Sequence, residues 1–286
     1  MEQQQSNILL EQSNILLEQN TSIHSLNEFP ALHYLHNHLL VNYTQLHQYC
    51  AEIMQQKKLN PIKRKPGEWV GKSADQFVNK VGDSWMLGWN NETNWLNYLI
   101  IYKGEIRSNH NLVNLLFGEI KDIVNVCGLS LLTPKAIIPP HIDEETTISK
   151  NRLTYHFNVF GKGSTIVINE SAYHQTPGTS IVFDSGFTHY VVNGNDSRLL
   201  IYIDFNVEMS KKYVYGKVIS VDNNQIILET YNTKYSNNIQ YISHTKYGNG
   251  TIYFENNKAI VKFDKPINSG VNINGMHVLL KISEKE

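Results

Sequence analysis

The sequence predicts a mainly β protein: helices first, then a double-sheet roll or barrel of short strands, then a small all-β appendage. Three observations carry this. From Leu129 to Phe205 the apolar residues fall into short runs with a period near two, the spacing of strands rather than helices. Turn chemistry punctuates those runs at Thr133-Pro134-Lys135, Gly161-Lys162-Gly163, Pro177-Gly178 and Asn193-Gly194-Asn195-Asp196. Upstream, Leu32, Leu35, Leu39 and Leu46 recur at helical spacing; downstream of Lys212 strand runs resume with Asn-rich turns.

Taken in order, residues 1–28 form a heptad-repeat helix or tail. The heptad Ser-Asn-Ile-Leu-Leu-Glu-Gln occurs twice, at residues 6–12 and 13–19. Two heptads are too short for an independent coiled coil, so a frayed helix or a docking segment is expected. Residues 29–210 form the main domain. Phe29–Lys57 reads as helix until Asn60-Pro61 and Lys65-Pro66-Gly67 break it, and Lys57, Lys58, Lys63, Arg64 and Lys65 make a solvated basic run. Trp95–Tyr102 reads as a strand, and Asn111–Val126 as an amphipathic helix stopped by Gly128. Seven strand runs follow, ending with Leu199–Phe205. Residues 211–286 form the appendage, where His244 and His277 stand alone as surface or packing residues.

Bulk chemistry narrows the function. The formal net charge of 286 residues is −1, so no global field recruits nucleic acid or an anionic membrane, and neither is an expected partner. The longest apolar runs fall well short of the ~18 residues of a membrane span. Cys50 and Cys127 are too few for a disulfide scaffold or a thiolate cluster, and a reducing, cytoplasmic setting is expected. Self-association through the heptads or the C-terminal β unit is compatible with the pattern.

One stretch stands apart. Pro139-Pro140-His141-Ile142-Asp143 is answered about forty-five residues later by Phe187-Thr188-His189, and Arg198 follows nine residues after that. Two imidazoles and a carboxylate at H-x-D…H spacing suit a non-haem Fe(II) site, with positions left open for substrate and O2. A 2-oxoglutarate cosubstrate would chelate the iron and present a second carboxylate, for which a planar guanidinium is the strongest partner. Arg198 opens the strand after His189 and supplies one. Any of these residues alone would read as packing or surface chemistry, Arg198 as an ion pair with Asp196.

The stretch from about Trp95 to Phe205 resembles the aspartyl/asparaginyl β-hydroxylase family of Fe(II)/2-oxoglutarate dioxygenases. The matching pieces are Ser130–Pro134 leading into Ile138-Pro-Pro-His141, then Arg152-Leu-Thr-Tyr-His156-Phe, then Gly178–His189, then Arg198–Asp204. The resemblance implies a double-stranded β-helix, the jelly roll also seen in cupins. It implies His141 and His189 as catalytic iron ligands, with Asp143 completing a triad that some members lack. It implies Arg198 as the clamp on 2-oxoglutarate, helped by His156 and Ser130. The family often carries a basic residue where Thr154 stands; Arg152 is the nearby candidate for contact with substrate. Asp184 is expected to order the turn before His189 or to support an iron-bound imidazole, and His174 is expected in a loop away from the iron. The implied reaction is hydroxylation of an sp3 carbon, the β-carbon of an Asp/Asn-type residue in a peptide or of a free amino acid. Other classes are a dioxygenase on an acyl chain or small metabolite, a cupin-like binding protein without catalysis, and an interaction protein.

Overall fold

The computed structural model describes residues 21–57, 61–63, 65, 72–88, 91–231, 240–244, 246–255, 258–267 and 273–283. The heptad repeat lies outside these residues, as do Lys58 and Arg64 of the basic run.

Helix α1 (Pro30–Val41) opens with proline, whose missing N–H costs nothing at a helix start. Its leucines Leu32, Leu35 and Leu39 are fully buried, each contributing about 1.5–3 kcal/mol relative to exposure. Asn42 interrupts the predicted single helix, and α2 (Tyr43–Lys57) continues it. Helix α3 (Lys72–Val81) buries Phe77, Val78 and Val81. Helix α4 spans only Asn111–Phe117. The expected helix to Val126 is therefore too long: strand starts at Val124, and Gly128 lies inside it. A side chain at Gly128 would strike the Tyr98 carbonyl at 2.5 Å, so the glycine permits close strand approach instead of ending a helix.

The strands of the two sheets begin with β1 (Ile23–His24), which pairs with the larger sheet although it falls in the segment 1–28 expected as helix or tail, and go on with β2 (Trp85–Leu87), β3 (Trp95–Tyr102), β4 (Glu105–Ile106), β5 (Val124–Leu132) and β6 (Ile137–His141). They continue as β7 (Arg152–Phe160), β8 (Ser164–Ile168), β9 (Ser171–Gln175), β10 (Ser180–Phe183), β11 (His189–Val192) and β12 (Arg198–Asn206). One sheet runs β1-β10-β7-β12-β5-β3-β2, with β4 on β3; the other runs β6-β11-β8-β9. All these pairs are antiparallel. The fold is a jelly roll, as the alternating runs predict. Its apolar filling between the sheets includes Leu132, Ile138, Ile166, Ile168, Phe183 and Val191. The other face of the larger sheet packs Tyr155, Phe157, Ile201 and Ile203 under α1 and α2.

Helix α5 (Val207–Lys211) leads into the C-terminal strands: β13 (Tyr213–Asp222), β14 (Gln225–Thr230), β15 (Gln240–His244), β16 (Gly248–Glu255), β17 (Lys258–Phe263) and β18 (His277–Ser283). They close into a barrel ordered β13-β14-β17-β16-β15-β18. The barrel is fastened to the main domain: Tyr213, Tyr215 and Leu279 join its core cluster, and Asn37 on α1 donates to Tyr215 Oη at 2.8 Å. His277, read from sequence as isolated, packs at this seam against Tyr215 and Tyr231.

Candidate metal and anion site

The histidines meet because the strands place them opposite one another. His141 ends β6 and His189 begins β11, and the two are register partners across that pair. A β-bulge follows His189 at once, where a bulge re-aims side chains. The imidazole centroids are 4.2 Å apart. Pro139 and Pro140 precede His141 on the edge strand of the smaller sheet, where a missing N–H breaks no ladder. Asp143 follows in the connecting loop, its Oδ2 3.7 Å from His189 Nε2. Ligand atoms of His141, Asp143 and His189 all lie within 4.8 Å of one another. Metal bonds of about 2 Å each span such gaps with small adjustments.

The tautomers suit a metal as well. His141 Nδ1 is 2.8 Å from the Pro139 carbonyl and His189 Nδ1 is 3.0 Å from the Phe187 carbonyl. A ring that donates Nδ1–H to a carbonyl presents Nε2 as its free lone pair. Burial lowers the His189 pKa, and His141 adds to this; the Phe187 carbonyl and Asp143 oppose it. The neutral, ligating form is favoured.

Asp143 is held through its loop. Its N–H donates to the Ser185 carbonyl at 2.8 Å, and Ser185 Oγ donates to the Thr146 carbonyl at 2.7 Å. Asp184 accepts from Ile148 N–H at 3.1 Å and Gly186 N–H at 2.9 Å. Asp184 thus orders the turn and ties it to the Asp143 loop, and among the described residues it bonds no imidazole.

Arg198 lies between the sheets, 1 % exposed, on the first residue of β12. Its Nη1 donates to Gln175 Oε1 at 2.7 Å and its Nη2 to Ser130 Oγ at a long 3.5 Å, while Nε has no partner among the described residues. Burial lowers its pKa to about 9, so it stays charged at neutral pH. No carboxylate is among these partners, and the expected alternative of an exposed ion pair with Asp196 does not describe it. Ser130 Oγ also accepts from Trp95 Nε1 at 3.0 Å. His156 lies on β7 within the field of Arg198 and His189, and its Nδ1 is buried without a partner among the described residues. Burial, then Arg198 and His189, hold its pKa well below the ordinary value. Phe183 packs edge-on against both His156 and His189.

A profile described as aspartyl/asparaginyl beta-hydroxylase matches residues 63–207, half of the chain. The chain belongs to the aspartyl/asparaginyl β-hydroxylase family. Its relatives include the uncharacterised protein L888 of Acanthamoeba polyphaga mimivirus, 52 % identical over 233 residues, covering 80 % of this chain and 86 % of that one. Among solved structures, a 2OG-Fe(II) oxygenase family oxidoreductase from Burkholderia pseudomallei aligns at 12 % identity and TM-score 0.32, over 52 % of this chain and 95 % of that one. The DMSP lyase DddQ from Ruegeria pomeroyi aligns at 13 % identity and TM-score 0.33, over 55 % and 71 %.

In this β-hydroxylase family member, Arg152 sits at the start of β7, partly exposed and opposite Asn206. Its charge acts on Asp204 and Glu145. His174 bonds Thr165 Oγ1 at 3.0 Å on an exposed face; it lies on β9, not in the expected loop, because alternation is masked in the polar run Ser171–Gln175. Sequence reasoning missed Gln175 and Trp95. Both side chains reach the guanidinium or its serine from separate strands, and no local spacing announces such a meeting. It also missed Asp204, a half-buried residue whose carboxyl is raised to about 7. Burial is the main cause and Asp143 adds to it, against Thr146, Asn125 and Arg152.

Proposed function

We propose that this β-hydroxylase family member is an Fe(II)- and 2-oxoglutarate-dependent dioxygenase that hydroxylates the β-carbon of an Asp/Asn-type residue, in a peptide or as a free amino acid. The single observation that carries the reading is a buried guanidinium without a carboxylate, set on the same roll as a His-Asp-His trio. A charge taken out of water costs several kcal/mol unless paired, so Arg198 calls for an anionic ligand. Family membership supports a hydroxylase.

Each residue then has a task. His141 and His189 would ligate through Nε2, with Asp143 as the anionic third ligand; such hard and borderline donors suit ferrous iron. Iron with 2-oxoglutarate supplies the oxidising equivalents from O2 that turn C–H into C–OH. Arg198 would seat the distal carboxylate of the oxo-diacid. Ser130 accepts two hydrogen bonds, from Trp95 and Arg198, so its own O–H proton is left to donate to that carboxylate. Neutral His156 offers Nδ1 as a further polar contact. Arg152 would meet an acidic group of the substrate, since Thr154 is engaged elsewhere: its hydroxyl donates to Ser185 Oγ at 3.2 Å.

The test is release of CO2 from 2-oxoglutarate with added Fe(II) and Asp- or Asn-containing peptides. His141→Ala should lose turnover by more than the ~100-fold seen when only an outer partner of a metal ligand is removed. Turnover retained in that variant would refute the ligand assignment.

A further inference from the structure

Gln175 ends β9 on the smaller sheet, and Arg198 begins β12 on the larger one, so their contact crosses the roll. Gln175 is 5 % exposed. Its Oε1 accepts from Arg198 Nη1 at 2.7 Å and from Ser164 Oγ at 3.1 Å. The guanidinium can only donate, which fixes the amide orientation: oxygen, not nitrogen, faces the cation. The Gln175 main-chain carbonyl is held too, by Asn158 Nδ2 at 3.4 Å. The residue is tied down at both ends.

What matters is that this partner is neutral. A glutamate of the same length could make the same hydrogen bond, and it would cancel the charge. An amide oxygen orients the guanidinium and leaves its full charge for a ligand. Gln175 also lines a cavity of about 410 Å3 together with His156, Asn158 and Tyr173, so the contact with Arg198 lies behind its wall. Two buried polar atoms of those lining residues, His156 Nδ1 and Asn158 Oδ1, have no partner among the described residues.

We propose that Gln175 is a positioning and specificity-determining residue, which aims Arg198 and keeps it unneutralised so that the roll selects an oxo-diacid over an oxo-monoacid. This rests on Arg198 as the seat of 2-oxoglutarate. The experiment uses the full chain loaded with Mn(II) under nitrogen, titrated calorimetrically with 2-oxoglutarate and with pyruvate, beside thermal melts. Gln175→Glu should weaken 2-oxoglutarate binding by about 30-fold or more, the scale of one charge-assisted hydrogen bond, and leave pyruvate nearly unaffected. Its melting temperature should rise, because the new carboxylate satisfies a buried cation, and Mn(II) affinity should stay within about twofold since the trio is untouched. A merely structural glutamine would not show stability and affinity moving in opposite directions. Gln175→Leu keeps the cation and its charge but loses the aim, and should cost less, about 3- to 10-fold. Wild-type affinity for 2-oxoglutarate in both variants would overturn the role of Gln175 and leave Arg198 standing. A wild-type protein that takes up Mn(II) but not 2-oxoglutarate would remove the Arg198 reading and this inference with it.

Discussion

The two β units of this chain are filled in opposite ways. The C-terminal barrel closes around Val214, Val218, Ile226, Leu228, Ile252, Val261, Phe263 and Leu280, and none of its described buried residues is polar. The jelly roll buries Ser130, Thr154, Asn158, Gln175, His189 and Arg198. Burying polar and charged groups opposes stability unless each is satisfied. The barrel spends its interior on cohesion. The roll gives part of that up for chemistry, with donors and a charge facing inward. An all-apolar core of this kind reads as scaffold, and a core with unsatisfied polar atoms reads as a receptor.

The largest expected effect tests the scaffold side. Phe263→Ala opens a cavity in the barrel and should cost about 3–5 kcal/mol in urea denaturation. If the barrel is scaffold alone, the surviving folded protein binds Mn(II) and 2-oxoglutarate as before; a selective loss of either would assign the barrel a share of the site.

Arg198→Met tests the receptor side. Exchanging a buried charge for an apolar side chain should leave stability unchanged or raise it, by up to about 2 kcal/mol, while binding of 2-oxoglutarate collapses. A variant that is destabilised and still binds would make Arg198 a structural residue.

The smallest effect concerns pH. Asp204 is raised in the folded protein to about 7 from an ordinary 3.8, mainly by burial. Between those values the folded protein holds a proton that the unfolded chain has lost, so this group contributes a destabilisation that grows from about pH 4 and is complete above about pH 7. Asp204→Asn keeps the shape and removes the charge. It should stabilise by about 1–3 kcal/mol at pH 8 and by little at pH 4.5. Equal shifts at both pH values would contradict the burial argument.

How much was legible in the sequence follows the same division. The trio and Arg198 sit in short motifs at strand ends, where residue chemistry and spacing are local, and the strands carrying them alternate clearly. Five of the six barrel strands were equally plain, and β15 (Gln240–His244) was not. What escaped reading depends on non-local encounters. Helix α3 sits in a polar stretch where only Ala74, Phe77, Val78 and Val81 mark the buried face. The segment after Phe117 has apolar residues that fit a helix until the sheet claims Val124–Leu132. Gln175 acquires meaning only once the two sheets face each other, and Trp95 only once β3 pairs with β5.

The fastening of the Asp143 loop to the turn before His189 has a consequence for how such a centre can drift. The acid rides on a strap whose far end is the approach to the second imidazole, through Ser185 and Asp184. Loosening the strap would disturb Asp143 and His189 together. Replacing Asp143 itself by a residue without a carboxylate leaves the strap and both rings where they are. The stitch therefore depends on the Asp143 main chain and not on its carboxylate.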